Sequence, residues 1–321
     1  MDPLSDALRV AHLSGGVFLN AEFTSPWCME SRLNPARCVP ALTGAVNMVL
    51  YHYVVEGEIR IRLDGDDGLG IIVTAGEAVL LPRNDLHYMG SDLTMPAIDG
   101  NDLVRPPDGD GLFSINHGGG GPGARMICGF LGGHGADGNP LLAALPPLMT
   151  ISLRDQGADE WIQATFRYAA QEVAGGRAGS ATVLARLSEL LFVEAVRRYV
   201  ESLPDSETGW LAGLRDPQIA KTLALIHNDP AHAWTVDELG RGIGLSRSAL
   251  ADRFTRLIGH SPIQYLIRWR MQVAAQMLIG SGAALARVAE AVGYDSEAAF
   301  SRAFKKEFGS APGTWRQMNH G

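Results

Sequence analysis

One repeat in the last hundred residues restricts the fold more than any other feature of the chain. Residues 235–259, TVDELGRGIGLSRSALADRFTRLIG, and residues 284–309, ALARVAEAVGYDSEAAFSRAFKKEFG, follow the same plan. Each opens with a short segment of helical period that carries a glycine or alanine on its packing side. Each then passes through a glycine-containing turn, Gly244-Leu-Ser246 or Gly293-Tyr-Asp-Ser296, into a second amphipathic segment. Thr235 and Glu238 have the spacing of a capping box, and Ser246 and Ser296 stand where N-caps of the second helices are expected. A helix, a tight turn and a second helix make a unit whose second helix can enter a DNA major groove. Any helical hairpin with a glycine turn imitates one such unit. Two in tandem, joined by the long segment 262–279, commit the C-terminal third to a helical double reader.

Charge follows the same division. The formal net charge of −8 would discourage a nucleic-acid partner. Residues 1–210, however, hold 14 Lys and Arg against 26 Asp and Glu, while residues 211–321 hold 13 against 9. A basic module is attached to an acidic one.

The run Gly293-Tyr-Asp-Ser296, Phe300-Ser-Arg302-Ala-Phe304-Lys305, Gly309, Pro312 and Trp315-Arg316 closely resembles the signature of AraC/XylS transcription regulators. The resemblance spans roughly residues 216–318, with Trp315 where the family usually has tyrosine. Phe300 and Phe304, four apart, are expected to anchor their helix in its own core. Glu297, Ala298, Ser301 and Arg302 can then face outward to read base edges. By resemblance, Arg247, Ser248, Ala251 and Asp252 occupy the equivalent surface of the first unit. Many relatives are basic where Asp252 stands; it would accept from cytosine N4 or pair with Arg256. Arg253, Arg256 and Arg268 are candidate phosphate contacts, as are Arg270, Lys305 and Lys306. Such contacts supply affinity and register without sequence information.

The first 150 residues read as short β segments (GGVFLNAEF, AVNMVLYHYV, EIRIRL, GIIVTA, EAVLLP, RMICGFL) separated by Gly, Asp, Asn and Pro clusters. That is the pattern of an antiparallel sandwich or barrel. Between Met95 and Arg125 a Gly-, Asp- and Pro-rich stretch contains GGGGPG, which lacks the ending of a phosphate loop and reads as a mobile surface insertion.

His52, Val54, Glu58 and Gly65 resemble the first cupin motif, with valine in place of its second histidine. Gly76, Pro82, Asn84 and His87 resemble the second motif, with Asn84 replacing glycine. The resemblance covers about residues 10–130 and is strongest to the cupin-like sensor domain of an AraC-family branch whose chains also begin MDxLSDxL and carry a pair like Cys128-Gly129. Residues 52, 54 and 58 share parity, so one unbulged strand would point all three inward. His52, Val54, Glu58 and His87 are therefore the candidate effector pocket. His52, Glu58 and His87 are candidate ligands for a divalent metal, with His117 a remote fourth. Alternatively, the histidines hydrogen-bond within a polar pocket and Glu58 sits at a turn.

Three cysteines at 28, 38 and 128 are too few and too far apart for a disulfide framework. Cys128, in an apolar strand, reads as a small buried hydrophobe, and Cys28 as a more accessible thiol. Some regulators of the branch this chain resembles respond to oxidants through cysteines in comparable regions, and that resemblance makes Cys28 and Cys128 redox candidates. Cys38 has no motif support.

After Leu145-Pro-Pro147 the period becomes helical. ADEWIQATFRYAAQEVA and SATVLARLSELLFVEAVRRYVESL both show it, and in the second Leu184, Leu187, Leu190, Leu191 and Ala195 form one stripe, a packing face or a dimer seam. Residues 203–210 read as a linker. No apolar run approaches the ~20 residues that span a bilayer, and no secretory signal opens the chain, so a cytoplasmic protein is expected.

The expected fold is α+β in two domains. A cupin-like β-barrel (1–150) is followed by a helical connector for dimerisation (151–209) and an all-α tandem helix-turn-helix domain (210–321). The expected function is sequence-specific regulation of transcription, as an activator, by a homodimer that contacts promoter DNA and RNA polymerase. A small molecule, metal or oxidant sensed in the barrel would control it. The alternative is a metal-dependent cupin enzyme, a dioxygenase or isomerase, with an appended helical domain.

Overall fold

The computed structural model describes residues 2–11, 13–15, 19–33, 47–106, 113–133, 139–152, 164, 168, 179–280 and 282–319. The chain divides into two compact units. Ser14–Gly132 and Pro146–Tyr199 form one; Met1–Leu13, Gly133–Leu145 and Val200–Gly321 form the other. Two stretches expected in the sensor thus pack with the helical C-terminal residues. The division also falls within a helix at Tyr199/Val200, upstream of the predicted linker.

The first unit is two sheets. One has the order β10-β2-β11-β4-β7-β12, where β2 is Leu19–Thr24, β4 Asn47–Glu56, β7 Glu77–Leu81, β10 Phe113–Gly118, β11 Gly123–Gly133 and β12 Met149–Ser152; β1, Leu13–Gly15, pairs with β11. The other has the order β6-β5-β8-β3-β9, from Ile71–Thr74, Glu58–Leu63, His87–Gly90, Cys28–Ser31 and Ile98–Asp99. Phe23, Leu50, Val79 and Met126 of the first sheet share one apolar cluster with Met29, Ile59, Ile61 and Met89 of the second. No pairing among the described strands joins the sheets, so the expected barrel is a sandwich.

Strand β4 reads as an almost continuous apolar run because both its faces are covered. Leu50 and Val54 enter the intersheet cluster. On the opposite face the Tyr51 hydroxyl lies 3.0 Å from Ser188 Oγ on α4, Ser180–Ser202. The buried side of α4 is Leu184, Ser188, Phe192, Ala195 and Val196, while Leu190 is 44% exposed. The predicted stripe is rotated, because Ser188, held by the Leu184 carbonyl, takes a core position that hydrophobicity alone assigns elsewhere. The predicted helix at 158–174 lies outside the described residues apart from Ala164 and Tyr168.

The described part of the glycine-rich stretch is structured. It contains α2, Gly100–Leu103, and β10, and the glycines at 118–121 turn between β10 and β11; residues 107–112 lie outside the described residues. Gly118 has φ +140°, and a Cβ there would lie 1.9 Å from the Thr24 carbonyl oxygen. Only glycine permits that approach.

The second unit is helical. Helix α1, Pro3–Ala11, and α3, Pro140–Ala144, pack with α5 Trp210–Arg215, α6 Pro217–Asn228, α7 Val236–Ile243, α8 Arg247–Ile258, α9 Pro262–Gly280, α10 Leu285–Ala291, α11 Glu297–Phe308 and α12 Pro312–Asn319. Asn139 caps α3 by accepting from Leu141 N and Leu142 N, and its Nδ2 donates to the Ala7 carbonyl of α1. Within α6, His227 stacks on Trp269 of α9 with ring centroids 3.6 Å apart. Tyr265 Oη accepts from Trp210 Nε1 and lies 2.8 Å from His227 Nε2. Among the described residues no helix is long and apolar enough to cross a membrane.

Candidate DNA-reading helices and sensor cavity

The two repeats fold to the same turn. Leu245 N donates to Gly240 O and Tyr294 N to Ala289 O, each at 2.9 Å. The small residue is required on the packing side because a Cβ at Gly240 would meet the Leu245 carbonyl oxygen at 2.7 Å. The caps are as the sequence predicts: Thr235 and Glu238 close a capping box, while Ser246 and Ser296 accept from Ala249 N and Ala299 N. Phe300 and Phe304 are both 0% exposed, and Trp315 meets Phe304 edge-on at 5.6 Å. These anchors, and Leu250 and Phe254 at 0% exposure in the first repeat, turn the other faces of α11 and α8 to solvent.

On α8, Arg247, Ser248, Asp252 and Arg256 are exposed and Ala251 is half-buried. No ion pair with Arg256 holds Asp252 among the described residues. On α11, Glu297, Ala298, Arg302, Lys305 and Lys306 are exposed and Ser301 is half-buried. The basic residues on these surfaces carry no described ion pair, so their charge is available to phosphate.

Three predicted phosphate contacts have other partners. Arg270 donates from Nε to Pro230 O, from Nη1 to Gly293 O, and from Nη2 to Ala231 O and His232 O. It ties the loop before α7 to the turn of the second repeat. Arg253 makes a two-nitrogen contact with Asp216 Oδ2, 2.9 and 2.6 Å, at the N-cap of α6. Asp216 is held below the usual carboxylate range by hydrogen bonds from Arg253 and two backbone amides, which outweigh its partial desolvation. Arg268 remains exposed but donates to His260 Nε2 at 2.6 Å.

Between the sheets of the sandwich lies a cavity of about 260 Å³. Leu50 and His52 of β4, Phe23 of β2, Met126 and Cys128 of β11, and Met29 and Met89 of the second sheet contribute to its wall. No Asp, Glu, Lys or Arg occurs among its described lining residues. Of the predicted pocket residues, His52 lines it. Val54 instead lies in the apolar core at 0% exposure, and His87 sits behind His52.

His52 Nε2 and His87 Nε2 are 3.1 Å apart, and His87 Nδ1 is 2.9 Å from the Asp85 carbonyl oxygen. That carbonyl can only accept, so His87 Nδ1 carries the proton and His87 Nε2 is an acceptor. His52 therefore donates from Nε2, leaving its own Nδ1 as a lone pair, which is buried and has no described partner. Burial holds both rings neutral. It pushes His87 down to about 4 and His52 well below the usual histidine value, the neighbouring His87 adding to the effect on His52.

The expected metal triad does not assemble. Glu58 is exposed and begins β5, opposite Thr74, after the turn at Gly57. Strand parity does not carry through a turn, which is why its side chain is not grouped with His52. His117, half-buried on β10, pairs in register with Phe23. Among the described residues no group of three His, Cys, Asp or Glu could hold a metal ion. The donor set does not fit a cupin metal centre.

Cys28 and Cys128 are both free and buried, on strands of different sheets, against the expectation that Cys28 is accessible. Burial pushes the Cys128 thiol up to about 12 and raises Cys28 as well. Neither is poised as a thiolate.

Sequence reasoning missed Tyr51, Ser188 and the methionines of the cavity. Cys128-Gly129 carried a signal that it left unused: Gly129 admits the Tyr51 ring, since a Cβ there would lie 2.4 Å from Tyr51 Oη.

A family model described as Cupin matches residues 2–201, and one described as Helix-turn-helix domain matches residues 239–318. The chain is 33% identical to a putative AraC-like transcription regulator of Streptomyces antibioticus, with 99% of each chain covered. It is 29% identical to the HTH-type transcriptional regulator AlkR of Acinetobacter baylyi, covering 99% of this chain and 100% of that one. It is also 24% identical to the RCS-specific HTH-type transcriptional activator RclR of Escherichia coli, covering 99% and 98%.

Proposed function

The chain belongs to the AraC-like transcription regulators, with a cupin domain preceding its helix-turn-helix domain, and from that premise we propose that a molecule held beside His52 governs when α8 and α11 engage promoter DNA. The protein is a DNA-binding regulator and not an enzyme. The observation that carries the reading is the pair of capped helices built on one turn geometry, each with an exposed, partly basic face. Each reads one major-groove segment, so one subunit covers two segments about one helical turn apart.

Covalent continuity supports the link between cavity and reader. Strand β4 presents His52 to the cavity and Tyr51, on its other face, to Ser188 of α4. Helix α4 then continues to Ser202, past the point where the second unit begins. Strand β11 lines the cavity through Cys128 and Phe130 and leads directly into Gly133–Leu145 of that same unit. A ligand that favours one arrangement of β4 and β11 biases the reader by as much as its affinity differs between the two arrangements.

The reading includes a homodimer that uses the outward side of α4, where Leu190 is exposed. It also includes activation through contact with RNA polymerase, in the cytoplasm. A gel-shift series in rising salt tests it: the protein prefers its own promoter to random duplex and loses affinity steeply as salt increases. Equal affinity for both duplexes overturns it.

A further inference from the structure

The cavity wall limits what the regulator can hold. Its described lining combines aliphatic and aromatic side chains with three methionines, Met29, Met89 and Met126, whose flexible thioethers adapt to irregular apolar shapes, and with two polar uncharged side chains, Ser31 and Asn101, besides His52. With no charged side chain among the described lining residues, an ionised ligand would lose its hydration without compensation. The histidine pair offers no positive charge, because both rings are neutral. Of the polar groups on the described wall, one is both buried and unpartnered. Among the described residues, His52 Nδ1 is the one buried side-chain atom without a hydrogen-bond partner that a cavity-lining residue bears. The chain from His52 Nε2 through His87 to the Asp85 carbonyl fixes that nitrogen as an acceptor.

We propose that the effector is an uncharged, predominantly apolar molecule bearing a single hydrogen-bond donor, such as the hydroxyl of a medium-chain alcohol or a phenol, which donates to His52 Nδ1. This rests on the cavity being the effector site and adds the chemical class. The apolar body supplies affinity by leaving water, and the donor supplies selection, because a site built around a buried acceptor rejects an analogue that leaves it unpaired.

The test uses full-length protein and displacement of the neutral fluorophore N-phenyl-1-naphthylamine. Three competitors share one chain: decan-1-ol, its methyl ether, and decanoate at pH 8. Decanol displaces the fluorophore, the ether needs about tenfold more, and decanoate fails over the same range. In His52→Leu, alcohol and ether displace alike; in Val104→Trp, where the new ring fills the cavity beside α2, neither does. A wild-type near-ultraviolet circular dichroism spectrum and hydrogen-exchange protection of β4 and β7 in each variant report that its sandwich is folded. The wild-type comparison decides even if a variant does not fold.

Equal displacement by alcohol and ether overturns the donor requirement. Displacement by decanoate as strong as by the alcohol overturns the uncharged class. Absence of displacement by all three overturns the inference entirely. Failure of the effector-site reading looks different: decanol binds with the expected selectivity, yet promoter affinity and reporter output equal those of the free protein.

Discussion

Asp6 Oδ2 lies 3.7 Å from His227 Nδ1, and both side chains are almost wholly withdrawn from solvent. Asp6 belongs to the first helix of the chain and His227 to α6, next to the first DNA-reading unit. The same carboxylate accepts from Arg9 on its other oxygen at 2.6 Å. The amino-terminal helix is thereby part of the DNA-binding unit.

Replacing Asp6 with alanine removes the carboxylate that Arg9 holds and leaves a void beside His227, whose Nδ1 has no hydrogen-bond partner among the described residues even with Asp6 present. Asp6→Ala is expected to destabilise the C-terminal unit by about 1 to 3 kcal/mol through that lost packing. Hydrogen exchange checks it, with faster exchange in α6 and α9 and unchanged protection in β4 and β7. Protection of α6 equal to wild type would show that α1 does not brace the reader.

Acid is expected to weaken both units. Burial depresses His227 to about 3, with the Arg9 guanidinium adding to it, and His87 to about 4, while unfolded histidine titrates near 6.5. Below about pH 6.5 the unfolded chain binds protons that the folded chain refuses. The stability is therefore complete above that value and is lost as pH falls toward 4 and 3. Each group costs about 1 kcal/mol between pH 7 and 5.5. Thermal melts across that range follow the loss, and an unchanged Tm contradicts it.

Arg270 and Lys305, both basic residues of the reader, are expected to fail differently. Lys305→Ala leaves the fold intact and lowers the slope of log affinity against log salt by about 1. Arg270→Ala removes four hydrogen bonds to backbone carbonyls, so it lowers Tm and weakens binding with the salt slope retained among folded molecules. A reduced slope in Arg270→Ala, with Tm unchanged, would restore the phosphate contact that its sequence position suggests.

The two described thiols should be inert in the folded protein. Burial raises both above their ordinary range, so a thiol reagent such as dithiobis(nitrobenzoate) labels Cys28 and Cys128 slowly in buffer and quickly in denaturant. Reporter induction by oxidants is expected to survive in Cys28→Ser and Cys128→Ser alike. Loss of induction in either variant would bring a redox switch back.

The reader was legible in the residues because its determinants are local. A cap, its acceptor, a glycine turn and a pair of phenylalanines four apart act within one or two helical turns, and each appears where the spacing placed it. The β-rich character of the sensor, and His52 as a cavity residue, were legible for a similar reason, since strand alternation follows from local backbone geometry. Residue spacing alone carried these elements, the basic reader and the order of the modules along the chain. It did not determine that Glu58 begins a new strand outside the cavity, that Arg270 is spent on carbonyls 38 to 40 residues before it and 23 after it, or that Asp6 packs beside His227. Those features emerge from long-range packing, because hydrogen bonds and burial between residues far apart in the chain depend on which surfaces folding brings together, and no spacing along one segment encodes them.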